Sequence, residues 1–341
     1  MSSLPDRPRL QPAGPVPVRE GAATVGGRRH TPFDVPARAA TVVSGAAVAL
    51  TIAVELLVPG GWGEAAWIPL VAGLVVGLPH GAVDHLVPGW QLGWRVSRLV
   101  AFALGYAGVA AVVHLLFVTA PGPALVLFVL LSAWHFGTGE TAFADLRAGR
   151  PVRRRAAAAA VLGAVVLGLP LVRDTGQTAP LIAALVPGSD GVLPHWLVAL
   201  VLSTVLPAAV LLAAGLSLAG HRTEAVELAA LVTLVLVVPP LAAFGVYFGW
   251  WHSLRHLSRV LAEDPANAAD LRAGHLGRPL CRFGRAAALP TVVVVVVLGA
   301  LWSTADGWRG FVAADVPLLA ALTVPHVLVV GWLDRRAALA G

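Results

Sequence analysis

LAALVTLVLVVPPLAAFGVYFGWWHSLRH, residues 228–256, contains a single Asp, Glu, Lys or Arg, which is Arg255. A helix needs roughly 20 apolar residues to cross a bilayer core, and this run exceeds that. Pro239 and Pro240 stand in its middle, and proline cannot continue a helical hydrogen-bond ladder. The stretch is therefore either one kinked span or two spans joined by a tight turn. Arginine placement separates the two readings. A single span moves the arginine-rich loop 263–285 to a face whose other loops hold almost no arginine. Two spans, 224–238 and 241–262, keep that loop with the other basic segments, as the positive-inside rule requires.

Working outward by the same criterion gives further spans at 38–58, 66–88, 99–119, 122–144, 156–172, 192–219, 286–303 and 315–333. The expected fold is thus all-α, a polytopic membrane helix bundle of about ten spans, with eight to ten compatible with the pattern. Segments 89–98, 145–155, 220–223, 263–285 and 334–341 hold nearly all the arginine outside the spans and the N-terminal segment. The opposite loops contain only Arg173 and Arg309. That asymmetry predicts a multi-pass protein of the cell membrane with both termini in the cytoplasm. Residues 1–36, rich in Pro, Arg and Gly without an apolar run, are expected to form a disordered cytoplasmic tail. Residues 37–341 are expected to form a single transmembrane catalytic domain.

Composition agrees. The chain is 57% hydrophobic and 12% charged, with a mean hydropathy of +0.80, far from a soluble globular average. The formal charge of +6 is carried by arginine alone and spread over several loops, so no basic stripe points to nucleic acid. The lone cysteine, Cys281, excludes an intrachain disulfide, a cysteine metal knuckle and an iron–sulfur cluster.

Against this apolar background five histidines within spans stand out. They are His80 in GLPHGAVDH, His135 in WHFG, His252 and His256 in WWHSLRH, and His326 in VPHVLVV. Ionisable groups are costly within a bilayer, and those that occur face the bundle interior and mark a site. The spans that carry them all run in one direction, which puts the imidazoles at comparable depth, as a metal site assembled between helices requires. His252 and His256 are four residues apart, on one helical face. His80 and Asp84 share that spacing, so Asp84 is expected to orient a ligand imidazole, with Glu140 a weaker candidate for the same task. His326 is read as helix packing ahead of a fifth ligand or a substrate contact. His85 is divided between an outer role at the site and a helix interface. The competing explanation for any one buried histidine is a hydrogen bond to a neighbouring helix.

Imidazoles with few carboxylates suit Fe(II), copper or zinc better than magnesium or calcium. The H-E-x-x-H of zinc hydrolases, the P-loop, the dinucleotide-binding glycines and the G-x-S-x-G elbow are all absent. Iron able to bind O₂, which dissolves well in lipid, points to an apolar substrate arriving from the bilayer. Trp134, Phe136, Trp250 and Trp251 are candidates to line a pocket for a flat conjugated molecule, or else to pack helices.

GLPHGAVDH, WHFG and WHSLRH, in this order within a helical membrane protein, resemble the Brp/Blh family of β-carotene 15,15′-dioxygenases over roughly residues 70–330. The resemblance implies O₂-dependent cleavage of the central double bond of all-trans-β-carotene to two all-trans-retinal. It also implies Fe(II) held by His80, His135, His252 and His256, with retinal available for hand-off to a rhodopsin. The 36-residue tail and the long loop 263–285 depart from the compact family pattern. The alternative reading is a transporter or proton-coupled channel using the intramembrane histidines and Asp84, although no matching interrupted helix occurs in the other half of the chain. A di-metal desaturase requires about eight histidines in H-x-x-H-H boxes, which are missing.

Overall fold

A computed structural model describes residues 31–58 and 60–339, and no strand occurs among them. Helix α1 spans Asp34–Leu57. Its start is fixed by the Asp34 carboxylate, which accepts from the Thr31 N–H at 2.9 Å and the Thr31 hydroxyl at 2.8 Å. The expected tail boundary at residue 36 thus falls just inside α1, and residues 1–30 lie outside the described residues. Next come α2, Trp67–Gly77, and the short α3, Val87–Leu92. Two 3₁₀ turns, Leu78–Gly81 and Asp84–Leu86, separate them. The expected continuous span 66–88 is therefore broken at the first histidine motif, where Pro79 lacks an N–H to give to the ladder.

Helices α4 (Val96–Thr119) and α5 (Pro121–Arg147) follow. Helix α6 (Ala156–Gly163) passes through a π-turn, Ala164–Gly168, into α7 (Leu169–Arg173). The segment 173–191, read from sequence as a loop, contains α8 (Thr175–Leu185), whose N-cap Asp174 accepts from Gly176 N–H. Helices α9 (His195–Leu218) and α10 (Arg222–Val237) come next. The chain then turns through extended backbone at Val238 and Pro239. Arg173 caps this end of α10 by donating to the carbonyls of Leu236 and Val238 at 2.7 and 2.5 Å. Helix α11 (Pro240–Gly245) runs through a π-turn, Val246–His252, into α12 (Ser253–Glu263). The two-span reading of the diproline stretch matches this break. Helices α13 (Ala268–Arg272), α14 (Gly277–Thr304) and α15 (Gly307–Leu339) complete the chain.

Among the described residues, eight helical segments are long and apolar enough to cross a membrane. The two remaining expected spans are also helical. The first, α10, has only 16 residues, and the second runs through α11, its π-turn and α12 and carries Arg255 and Arg259. The most apolar stretches of α4, α9 and α14 contain almost no fully buried residue, whereas half of that of α15 is buried. This is a multi-pass arrangement with lipid-facing helices outside and α15 inside.

Glycines set the closest contacts. A Cβ on Gly73 of α2 would lie 2.0 Å from the Gly245 carbonyl oxygen, and one on Gly249 would lie 2.3 Å from the Gly73 carbonyl oxygen. Backbone therefore meets backbone where α2 crosses α11 and its π-turn, the usual role of small residues between membrane helices. The α5–α6 contact is built the same way. A Cβ on Gly137 would lie 1.8 Å from the Ala159 oxygen, and one on Gly163 would lie 1.9 Å from the Ala133 oxygen. The largest buried apolar cluster fills the space between α6–α7, α10 and α11, with Leu169, Leu231, Leu234, Tyr247 and Trp251 fully buried.

Candidate metal centre

The breaks and close contacts bring the histidine motifs together. His80 sits on the 3₁₀ turn that ends α2, His135 midway along α5, His252 at the end of the π-turn, and His256 one turn later on α12. π-Turns are common where a helix must re-aim a side chain. His252 and His256 lie nearly parallel with ring centroids 6.5 Å apart, the expected outcome of their four-residue spacing. The His80 ring is 5.7 Å from His252 and 5.4 Å from His256, and His135 is 5.1 Å from His252. His326, on α15, lies among them at 4.9 Å from His80 and 5.1 Å from both His135 and His256.

The nitrogens have unequal partners. His80 Nδ1 donates to the Gly77 carbonyl at 2.5 Å, which leaves Nε2 as the ring's lone-pair nitrogen. The buried Nε2 atoms of His135, His252, His256 and His326 have no hydrogen-bond partner. Buried polar atoms are almost always paired, so four such atoms in one cluster fit a group held by imidazole nitrogens. A cavity is lined by His135, His252 and His256 together with Gly139, Arg259 and Val330. The absence of a side chain at Gly139 seats the His252 ring, since a Cβ there would lie 3.4 Å from His252 Cε1.

Asp84 holds an imidazole of the cluster, but the ring is that of His326 and not that of His80, with which it shares a four-residue spacing. The 3₁₀ turns break the helical register between His80 and Asp84, and Asp84 Oδ2 accepts instead from His326 Nδ1 at 2.8 Å and from the Tyr106 hydroxyl at 3.3 Å. Glu140 is buried and lines the same cavity, but it bonds no imidazole. It accepts from Trp251 Nε1 and Arg255 at 3.0 Å each, with the Tyr247 hydroxyl at 3.5 Å. Phe136 presses edge-on against His252 at 4.7 Å. Trp134 is 46% exposed and lies outside the cluster. Trp251 is fully buried beneath Arg255, whose guanidinium carbon is 3.8 Å from the ring centroid. His221 bonds Arg150 away from the site.

Sequence reasoning passed over the ion network that supports the centre. Arg255 reaches Glu140 on α5 and Glu227 on α10, the latter at 2.8 Å, and Arg147 also pairs with Glu227. Arg259 pairs with Asp334 on α15. The signal was present: two arginines inside a span, flanking a histidine, are as costly as the histidines themselves.

The sequence profile of the beta-carotene 15,15'-dioxygenase family matches residues 71–334, a range that includes all five histidines. The chain belongs to this family. Similar proteins include the probable beta-carotene 15,15'-dioxygenase Blh of Halobacterium salinarum, 35% identical over 80% of this chain and 85% of that protein. A beta-carotene 15,15'-dioxygenase from an uncultured marine bacterium is 28% identical over 79% of this chain and 94% of its own length. The probable beta-carotene 15,15'-dioxygenase Brp of Halobacterium salinarum is 26% identical over 79% of this chain. No solved structure matches the chain. The dioxygenase match ends at Asp334, the residue that ties α15 to Arg259.

Proposed function

We propose that the chain cleaves the central double bond of all-trans-β-carotene with O₂, giving two molecules of all-trans-retinal, at an Fe(II) held by His80, His135, His252 and His256. The observation that carries this reading is the set of buried, unpartnered Nε2 atoms of His135, His252 and His256, with the His80 ring beside them, inside the stretch that matches the dioxygenase family. Fe(II), when bound, supplies the activation of O₂ toward the polyene. One O₂ per cleaved double bond supplies both aldehyde oxygens, so no outside reductant is needed.

The protein's part is to bind, orient and exclude water. The Gly77 carbonyl fixes the His80 tautomer, and Phe136 and Gly139 fix the ring of His252. His80 is the half-buried member of the cluster while the other four rings are buried, so its side is the natural approach for a substrate dissolved in lipid. Phe248 packs edge-on to His80 at 5.6 Å and stacks with Phe244 at 5.9 Å and 16°. These rings offer a face to a conjugated chain, whereas Trp251 is fully buried. Retinal released into the bilayer is then available to a rhodopsin. The arginine asymmetry supports an orientation with both termini in the cytoplasm.

Expression in a bacterial host that accumulates β-carotene tests the reading. The wild-type chain should bleach the pigment and yield retinal. His252→Ala and His256→Ala should leave the cells orange with the protein still in the membrane fraction. Persistent colour with membrane-inserted wild type would overturn the assignment of substrate.

A further inference from the structure

The cluster holds one more imidazole than the four assigned to the metal, and it is the most deliberately placed of the five. His326 Nδ1 donates to Asp84 Oδ2 at 2.8 Å. With that proton committed, the neutral ring presents Nε2 as a lone pair, and this atom is buried with no partner. Asp84 and His326 are 3% and 5% exposed, so neither has water as an alternative. The Tyr106 hydroxyl lies between Asp84 at 3.3 Å and the Leu322 carbonyl at 3.1 Å, which ties the carboxylate to the turn of α15 that precedes His326. Gly81 leaves room for the arrangement. A Cβ there would lie 3.2 Å from His326 Nδ1 and 3.6 Å from Asp84 Oδ2.

A buried lone-pair nitrogen left unpaired is unfavourable by the desolvation of that atom. A carboxylate holding the far nitrogen of an imidazole is the arrangement that fixes metal-binding histidines. Asp84, His256 and His326 each offer an atom within 4.8 Å of the others. Packing alone explains neither the directed Nδ1 bond nor the empty Nε2.

We infer that His326 is a fifth nitrogen ligand of the metal, with Asp84 as its positioning residue. This rests on the metal reading given above and extends its ligand set. The link adds α15 to a site otherwise carried by the 3₁₀ segment between α2 and α3, by α5, and by the π-turn with α12.

Co(II), a neighbour of Fe(II) in ligand preference, is the probe. Detergent-purified protein is stripped of metal and titrated with Co(II) against a competing chelator, while the visible ligand-field bands are recorded. His326→Ala should raise the Kd by about tenfold or more, and Asp84→Asn by about 10- to 100-fold, the range for losing a partner of a ligand imidazole. The bands should shift and intensify in His326→Ala as coordination falls, and added imidazole should restore the wild-type spectrum in His326→Gly. If His326→Ala is not monodisperse, Asp84→Asn, which keeps the ring and the volume, answers instead. Wild-type Kd and bands in a folded variant, while His252→Ala loses Co(II), would overturn the fifth ligand and leave the four-histidine site standing. Failure of the wild type to bind Co(II) or Fe(II) would instead overturn the metal reading, and the fifth ligand with it.

Discussion

Arg255 is the residue on which the framework around the histidines converges. It is 4% exposed, lies between His252 and His256 on α12, and divides its guanidinium between Glu140 and Glu227. A planar fork can serve two carboxylates at once, whereas a lysine ammonium is a point charge. Removing one partner from a buried pair leaves an uncompensated charge at a cost of about 3–5 kcal/mol. Arg255→Met should therefore lower the thermal unfolding midpoint in detergent markedly, and Arg255→Lys by less. Because Glu227 keeps Arg147, the stranded group is Glu140, so adding Glu140→Gln to Arg255→Met should recover part of the loss. A double mutant no more stable than Arg255→Met would show that the damage comes from lost packing on Trp251 instead of a stranded charge. The sequence made the histidines legible because each is an ionisable residue in an apolar run. The arginine was equally visible, but its partners on α5 and α10 are more than 25 positions away and no local spacing announces them.

At the scale of elements, the site depends on backbones that touch. Gly163 and Gly137 bring α6 against the half of α5 that carries His135. Gly163→Ala would place a Cβ 1.9 Å from the Ala133 oxygen, and overpacking of this kind costs about 1–3 kcal/mol or more. Gly105→Ala and Gly299→Ala, with nothing within 4 Å, should be neutral or slightly stabilising, since alanine is the better helix former. Thermal unfolding of the three variants in parallel checks this, and equal midpoints would mean that α5 and α6 do not meet as described. The same scale shows where sequence reading stops. Hydropathy averaged over a span locates α4 and α9 well, because their signal is uniform, but it misses the first turns of α14, which begins at Gly277 within the expected loop 263–285. It does not register a change of hydrogen-bond pattern inside a span, so the 3₁₀ break at 78–86 and the π-turn at 246–252 went unseen. The four-residue rule held for His252 and His256, where α-helix resumes after the π-turn. It misled for His80 and Asp84, where the helix does not continue, although Pro79 marked the place.

For the whole molecule, the question that geometry leaves to chemistry is which end of the bundle faces the cytoplasm. Ion pairs crowd one set of connections, where Arg150 and Arg155 meet Asp145 and Glu224. Arg173, by contrast, is taken up by the carbonyls at the end of α10. Arginines beside span ends are retained on the cytoplasmic side, so the segment around residues 263–285 should lie there. The chain carries its own reporter, because its lone cysteine, Cys281, is exposed and belongs to that segment. A membrane-impermeant maleimide should label the wild-type chain in inverted membrane vesicles and spare it in intact spheroplasts. The converse reporter is Cys281→Ser combined with Ser189→Cys, which moves the thiol to an exposed position between α8 and α9. It should label in spheroplasts and be protected in inverted vesicles. Labelling of both chains from the same side would break the two-span reading of the diproline stretch. That turn alone sets the parity between residues 189 and 281, given that α9 crosses once. Reversed labelling of both would keep the turn and invert the molecule, so the two thiols separate the count of crossings from their direction.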